Sequence, residues 1–289
     1  MEKCEKESNF AAVMGKKIAI INDISGYGRC STSVILPIVS YLGIQGCALP
    51  TAIFSNHTGF PSFFCKDFTQ YMTAYMAEWK KLDLQFDGIL TGFLGSEKQI
   101  AIVEDFIRQF RNEHTKVIID PVMGDNGKIY STYTDKLCQK MRRLVAYADI
   151  VTPNLTEACI LTNTPYKTYG WTHAELNQMV QKLHDMGAKQ LVITGILMGK
   201  DSVGNAVSEE GKMTIFQRQR VVEETRSGTG DVFAGIIGAD AINGVDFATS
   251  VKRASRFVRL SLIETLKSGE TARNTGIDFE MTLYKLKRK

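Results

Sequence analysis

Short runs rich in Val and Ile alternate along this chain with longer stretches whose apolar positions return every three or four residues. The short runs are Lys17–Ile21, Cys47–Phe54, Gly88–Thr91, Lys116–Ile119, Ile150–Thr152 and Leu191–Thr194. Nearly continuous in their apolar character, they predict strands buried on both faces. Helical periodicity predicts helices near residues 31–43, 66–80, 96–112, 134–147, 155–162 and 172–187. Repetition of strand and helix in this order implies an α/β fold of three layers, with helices covering both faces of a mostly parallel central sheet. Residues 205–225 break the rhythm. There Ala206–Val207 and Met213–Gln217, set around Gly211, predict a small antiparallel edge. Two helices, 229–243 and 246–266, and a short one near 279–286 complete the pattern.

The 289 residues are 44% hydrophobic and 23% charged, a composition that suits one large globular domain or two small ones. No linker, low-complexity tract or internal repeat divides them, so residues 16–289 read as one domain behind a loose polar arm, residues 1–15. The 35 basic and 31 acidic residues are interspersed, and the basic run at 285–289 suits a solvated tail better than a nucleic-acid surface. Six cysteines are scattered without a C-x-x-C pair, as buried thiols in a reducing compartment would be. No apolar stretch reaches membrane-spanning length, and residues 1–9 lack the form of a secretory signal. A cytoplasmic protein that binds neither nucleic acid nor membrane is expected.

Chemistry enters at the strand ends. Asn22-Asp23, Thr91-Gly92, Asp120-Pro121, Thr152-Pro153-Asn154 and Thr194-Gly195 each follow an apolar run, and in a parallel sheet such ends line one edge, where ligands bind. The run Ser227-Gly228-Thr229-Gly230-Asp231 leads directly into apolar Val232–Ile237. Its glycines let a ligand approach the backbone, and a helix starting there offers unpaired N–H groups and the positive end of its dipole. Asp231 falls in the first turn, where a helix terminus favours the ionised carboxylate. Donors for charge on a transferring group, beside a base for a hydroxyl proton, are what phosphoryl transfer to an alcohol needs. A tight turn with Asp capping a helix is the plain structural alternative. No G-x-x-x-x-G-K-[ST] occurs, which excludes a P-loop. Gly26-Tyr27-Gly28-Arg29-Cys30-Ser31 lacks the third glycine of a dinucleotide fingerprint.

Five segments carry a family likeness: Phe54–Phe60 (F-S-N-H-T-G-F), Leu90–Phe93 (L-T-G-F), Asp120–Asp125 (D-P-V-M-G-D), Asp149–Asn154 (D-I-V-T-P-N) with Glu157, and Gly228–Asp231 (G-T-G-D). On these residues the chain resembles the ribokinase superfamily and, within it, the pyridoxal (vitamin B6) kinases. The resemblance spans most of residues 16–265 and implies ATP-dependent phosphorylation of the 5'-hydroxymethyl group of a B6 vitamer. By it, Asp231 is the base, and Gly228, Thr229 and Gly230 form the anion hole. Asp120, Asp125, Thr152, Asn154, Glu157 and Thr194 line the ATP site, with Asp120 and Glu157 toward Mg²⁺. On the substrate side stand Asp23, Ser25, Thr58, Gly59 and Phe93, with Ser25–Gly28 as a flap that excludes water. The resemblance also implies a homodimer, and it leaves open a monovalent cation such as K⁺. Plainer explanations exist for the acids: Asp120 and Asp125 as turn residues, Glu157 as a first-turn helix acid. His57, inside a fixed loop, reads as a structural hydrogen-bonder.

At one position the chain departs from that family. Asp23 stands where its members usually have Ser, and Asn22-Asp23-Ile24-Ser25-Gly26 is closer to the hydroxymethylpyrimidine kinases of thiamine synthesis. A carboxylate suits a protonated ring nitrogen or an exocyclic amine. The alternative activity is therefore phosphorylation of hydroxymethylpyrimidine or its phosphate, against which Phe54–Phe60 and Gly124-Asp125 follow the B6 pattern.

Overall fold

The structure is a computed structural model that describes residues 15–221, 226–269 and 273–286. Apart from Gly15, the expected N-terminal arm lies outside the described residues. In chain order the elements are β1 (Lys17–Tyr27), α1 (Thr32–Tyr41), β2 (Gln45–Asn56), β3 (Cys65–Asp67), α2 (Thr69–Lys81), β4 (Gly88–Thr91), α3 (Glu97–Phe110) and β5 (Lys116–Ile119). Then follow β6 (Gly124–Asp125), β7 (Lys128–Ile129), α4 (Asp135–Val145), β8 (Ile150–Val151), α5 (Leu155–Thr162), α6 (His173–Asp185) and β9 (Gln190–Leu197). The last are β10 (Ser202–Glu209), β11 (Lys212–Gln219), α7 (Thr229–Ile242) and α8 (Phe247–Lys267), with 3₁₀ turns at Arg273–Thr275 and Glu280–Leu286.

The three layers follow from the two-sided strands. Ile18 and Ile20 of β1 point into a core shared with α1, α7 and α8, whereas Ala19 and Ile21 point into the other, shared with α2 to α6. Because alternate residues of a strand face opposite ways, a strand between two cores is apolar at every position. Helix α7 lies against this sheet with every residue from Val232 to Asp240 buried, as its unbroken apolar run predicts.

Sheet order is β11-β10-β9-β8-β5-β4-β1-β2-β3, with parallel pairing from β2 through to β9. The expected antiparallel edge is β10–β11. A second, β3 against β2, has no sequence signal, since its three residues are all exposed. Another element without a signal is the β6–β7 hairpin, which carries Asp125. Of the segment expected as a flap, Ser25, Gly26 and Tyr27 lie in β1 and Gly28 just beyond it. β1 runs on through Tyr27, with Ser25 beside Phe54 and Tyr27 beside Asn56 of β2, so a parallel ladder engages this backbone. From β1 the chain steps one way to β2 and then returns to the opposite side for β4. The switch point of the sheet therefore lies between the carboxyl ends of β1 and β4.

Candidate active site

At that switch point the β1–β2 register slips between Asn22 and Ile24, a bulge that re-aims the side chains at the end of β1. Asn22 is buried there. Its Nδ2 donates to Asp231 Oδ1 (3.4 Å), and its Oδ1 accepts from the N–H groups of Phe93 (2.8 Å) and Asp23 (2.9 Å). The amide lies so close to Gly92 that a Cβ on that residue would come within 2.4 Å of it. One side chain thus ties the ends of β1 and β4 to the first turn of α7. Sequence reasoning treats Asn22 only as a strand end, because its signal, the paired Gly92, becomes visible only once β1 and β4 are neighbours.

Gly228 precedes α7 with φ +82°, and a Cβ there would stand 2.0 Å from the Arg29 carbonyl oxygen, so only glycine fits. The first amides of a helix have no intrahelical acceptor. Among the described residues no backbone carbonyl outside the helix takes those of Gly228, Thr229 or Gly230. Beside them, the Asp231 carboxyl accepts from Asn22, and the nearby Ser31 backbone favours its charged form. A helix terminus alone would lower its pKa. Burial outweighs the hydrogen bonds and pushes it above the ordinary value. Ser31, a second residue that sequence reasoning misses, holds φ +58° and ψ −144° at the start of α1, a conformation costing a non-glycine residue about 1–3 kcal/mol. Its side chain makes no capping bond to the helix, and its hydroxyl favours the charged form of Asp23.

Asp23 is buried, accepts from Ser25 Oγ (3.0 Å), and is pushed up to about 6, chiefly by burial and further by the charge of Asp231. Phe93 stands half-buried between Phe54 and Tyr133, each ring centroid 5.7 Å away and edge-on. Thr58 and Gly59 belong to a neighbouring loop braced by the C-terminal segment. His57 Nδ1 accepts from the Gly59 N–H (3.1 Å), which places its proton on Nε2, and Nε2 donates to the Asn274 carbonyl (2.7 Å). Asn274 Nδ2 returns a bond to the Gly59 carbonyl (2.6 Å). His57 is thus a structural hydrogen-bonder.

The residues expected around ATP form a second network. Asp120 Oδ1 accepts from Thr152 Oγ1 (3.1 Å). Glu157 closes a capping box on α5: its Oε2 takes the Asn154 N–H (2.8 Å), while Asn154 Oδ1 takes the Glu157 N–H (3.0 Å). Glu157 Oε1 accepts from the Met123 N–H (3.1 Å), so both its oxygens are engaged by backbone. Asn154 Nδ2 donates to the Gly124 carbonyl (2.8 Å), pinning the β6–β7 hairpin that carries Asp125. Thr194 pairs with Asn154 in an isolated parallel bridge. Burial and the charge of Asp231 push Asp120 up to about 8, and burial together with Asp120 raises Glu157. Among the described residues no Lys or Arg forms an ion pair with Asp23, Asp120, Glu157 or Asp231. Asp23, Asp120 and Glu157 are buried and Asp231 is half-buried, an arrangement in which each carboxyl favours its neutral form or a bound cation. No three His, Cys, Asp or Glu side chains among the described residues form a ready metal cage.

Comparison with known proteins adds independent findings. The family model for phosphomethylpyrimidine kinase matches residues 37–276. The chain is 30% identical over 217 residues to the pyridoxal kinase of Bos taurus, which covers 68% of each chain. It superposes at TM-score 0.88 and 37% identity on a Bacteroides thetaiotaomicron protein assigned as a phosphomethylpyrimidine kinase, in a crystal form with pyridoxal, over 94% of this chain and 96% of that one. The pyridoxal kinase of Lactobacillus plantarum superposes at TM-score 0.85 with 27% identity, over 94% and 96% of the two chains.

Proposed function

This chain belongs to the phosphomethylpyrimidine kinase family, as a pyridoxal kinase of the ribokinase superfamily, and from that premise we propose that it phosphorylates the 5'-hydroxymethyl group of a B6 vitamer with ATP. The observation that carries the reading is the join at the switch point, where Asn22 holds Asp231 beside the Gly228, Thr229 and Gly230 amides that open α7. In this reading those amides take the charge of the transferring phosphoryl group. Asp231 orients the alcohol and accepts its proton late, as the bond to phosphorus forms. An alcohol is far less acidic than a carboxylic acid, and the raised pKa makes Asp231 the better acceptor. The edge of Phe54 and the ring of Phe93 offer an apolar wall to a flat heteroaromatic ring.

A divalent cation such as Mg²⁺ fits the other network. Asp120 would hold it, with Glu157 adding charge from behind. Mg²⁺ binds through one or two carboxylates, waters and substrate phosphates, without a closed protein cage. When bound, it would neutralise charge on the phosphates. The Thr152 hydroxyl fixes the Asp120 carboxyl, and the capping box fixes Glu157.

Asp23 favours one second reading, the hydroxymethylpyrimidine, since a carboxyl poised at about 6 can pair with an amine or a ring nitrogen. An ADP-release assay with pyridoxal, pyridoxamine, pyridoxine, hydroxymethylpyrimidine and ribose decides between them. Turnover of the vitamers is expected. Turnover of the pyrimidine alone would overturn the proposal.

A further inference from the structure

A cavity of about 330 Å³ lies between α8, the end of β11 and the 3₁₀ turn Glu280–Leu286. Five cations line it: Arg218, Lys252, Arg253, Arg256 and Lys285. Lys252 and Arg256 are four residues apart on one helix face, an arrangement that costs a few tenths of a kcal/mol unless something compensates.

A merely solvated face would let these side chains splay into water, and three of them, Arg218, Lys252 and Arg253, are instead held in place. Arg218 donates from Nη2 to the Lys252 carbonyl (2.9 Å), which draws a strand cation onto a helix that is already positive. Lys252 Nζ sits 4.6 Å from the centre of the Phe216 ring. Among the described residues, two acids that reach these helix cations, Asp240 and Asp246, are already occupied. Asp240 is buried and binds Arg253 at 2.5 Å and Ser250 Oγ at 3.0 Å. Asp246 caps α8 through the Thr249 N–H (2.8 Å), although it also feels the charge of Lys252. The cost of the crowding falls on Arg218, whose affinity for its proton is lowered by burial and by the charges of Arg256 and Arg259. An anion would relieve it. Phe257, Leu260 and Leu286 add an apolar wall to the same cavity.

We propose that this cavity binds a phosphomonoester with an apolar body, at a site separate from phosphoryl transfer. Arginine forks and lysine point charges recognise a phosphate dianion, and the apolar wall takes its carbon body. The volume suits a small molecule and not a polymer. None of the lining residues belongs to the parallel strands, whose carboxyl ends carry the phosphoryl-transfer site, or to the Gly228–Asp231 turn.

The test is calorimetric titration of the full chain with phenyl phosphate, inorganic phosphate and chloride at matched ionic strength. ADP and pyridoxine are kept saturating, so that the phosphoryl-transfer site is filled. Expected is saturable one-site binding of phenyl phosphate, tighter than that of inorganic phosphate and weakened at least tenfold in R218Q/R256Q, with turnover of the variant within twofold of wild type. Should the double variant fold poorly, exposed Lys252→Gln serves, with a several-fold loss expected. Binding unchanged in the variants, a response no different from chloride, or equal affinity for inorganic phosphate would overturn the proposal. Vitamer turnover is read separately, so failure here leaves the kinase reading untouched.

Discussion

Two clusters of like charge, the acids at the carboxyl edge of the sheet and the cations beside α8, meet their own repulsion by different means. Asp120 and Asp23 are out of water and lifted to about 8 and about 6, so each can take up a proton and cease to repel. A guanidinium has no such escape. Arg218 and Arg256 stay charged, the first half-buried and the second exposed. The charge of the acidic cluster is therefore conditional on pH and on what binds beside it, whereas the charge of the basic cluster is fixed and must be met by solvent or by an anion.

The comparison breaks most sharply at Asp231. Asp231→Asn is expected to lower turnover by about 10²–10⁴-fold, the range for loss of a general base. Its melting temperature should hold or rise, because an amide carries no charge to desolvate. ADP-release kinetics and a thermal melt on one sample read both effects, and wild-type turnover would place the chemistry elsewhere.

Next in size is Asn22→Leu, which keeps the volume and removes the amide. A loss of about 10- to 100-fold in kcat is expected, the worth of one hydrogen bond to a charged group. Stability should also fall by about 1–3 kcal/mol, as the N–H groups of Phe93 and Asp23 lose their acceptor. Unaltered kcat alongside reduced stability would make Asn22 a purely structural residue.

Asp120→Asn sharpens the contrast between conditional and fixed charge. The folded protein holds this proton up to about pH 8, while the unfolded chain releases it near the ordinary value of 3.8. The native state thus binds more protons between those limits, and stability falls as pH rises through the window. In the variant that slope should flatten, and the melting temperature at pH 8 should rise by about 2–4 °C for each kcal/mol recovered. Added Mg²⁺ should no longer stabilise it. Melts from pH 4 to 8 with and without the ion are the measurement, and an unchanged slope would mean that the carboxyl is solvated.

The smallest effect belongs to the basic side. Arg256→Gln removes one like-charge pair with Lys252 and should stabilise the fold by about 0.2–0.5 kcal/mol at low salt, a gain that high salt erases. Denaturant titrations at two ionic strengths would detect it, with turnover unchanged.

Elements between two cores were legible in the sequence because burial on both sides leaves a continuous apolar run. The helix expected over 229–243 is Thr229–Ile242, and the strand expected at Gly88–Thr91 has those bounds. Segments whose backbone is satisfied by distant partners were not legible. Gly26 and Ser25 look like a loop until β2 arrives to pair with them, and β3 is too short and too exposed to leave a pattern. The site divides in the same way. Asp231, Asp120 and Asn154 could be singled out by residue type and position, and Glu157 through the family resemblance. Asn22 and Ser31 could not, since their roles depend on residues far away in the chain.

From the chain alone came the inventory of chemistry: acids, hydroxyls and amides placed where apolar runs stop, and glycines where a backbone must come close to a ligand. Such choices are local, and local patterns record them. Folding decided the charge state and the company of each group. Asn22 reaches Asp231 across 209 residues, and the proton on Asp120 is held by the absence of water around it. Desolvation and long-range hydrogen bonds belong to the packed arrangement, so no stretch of sequence can state them by itself.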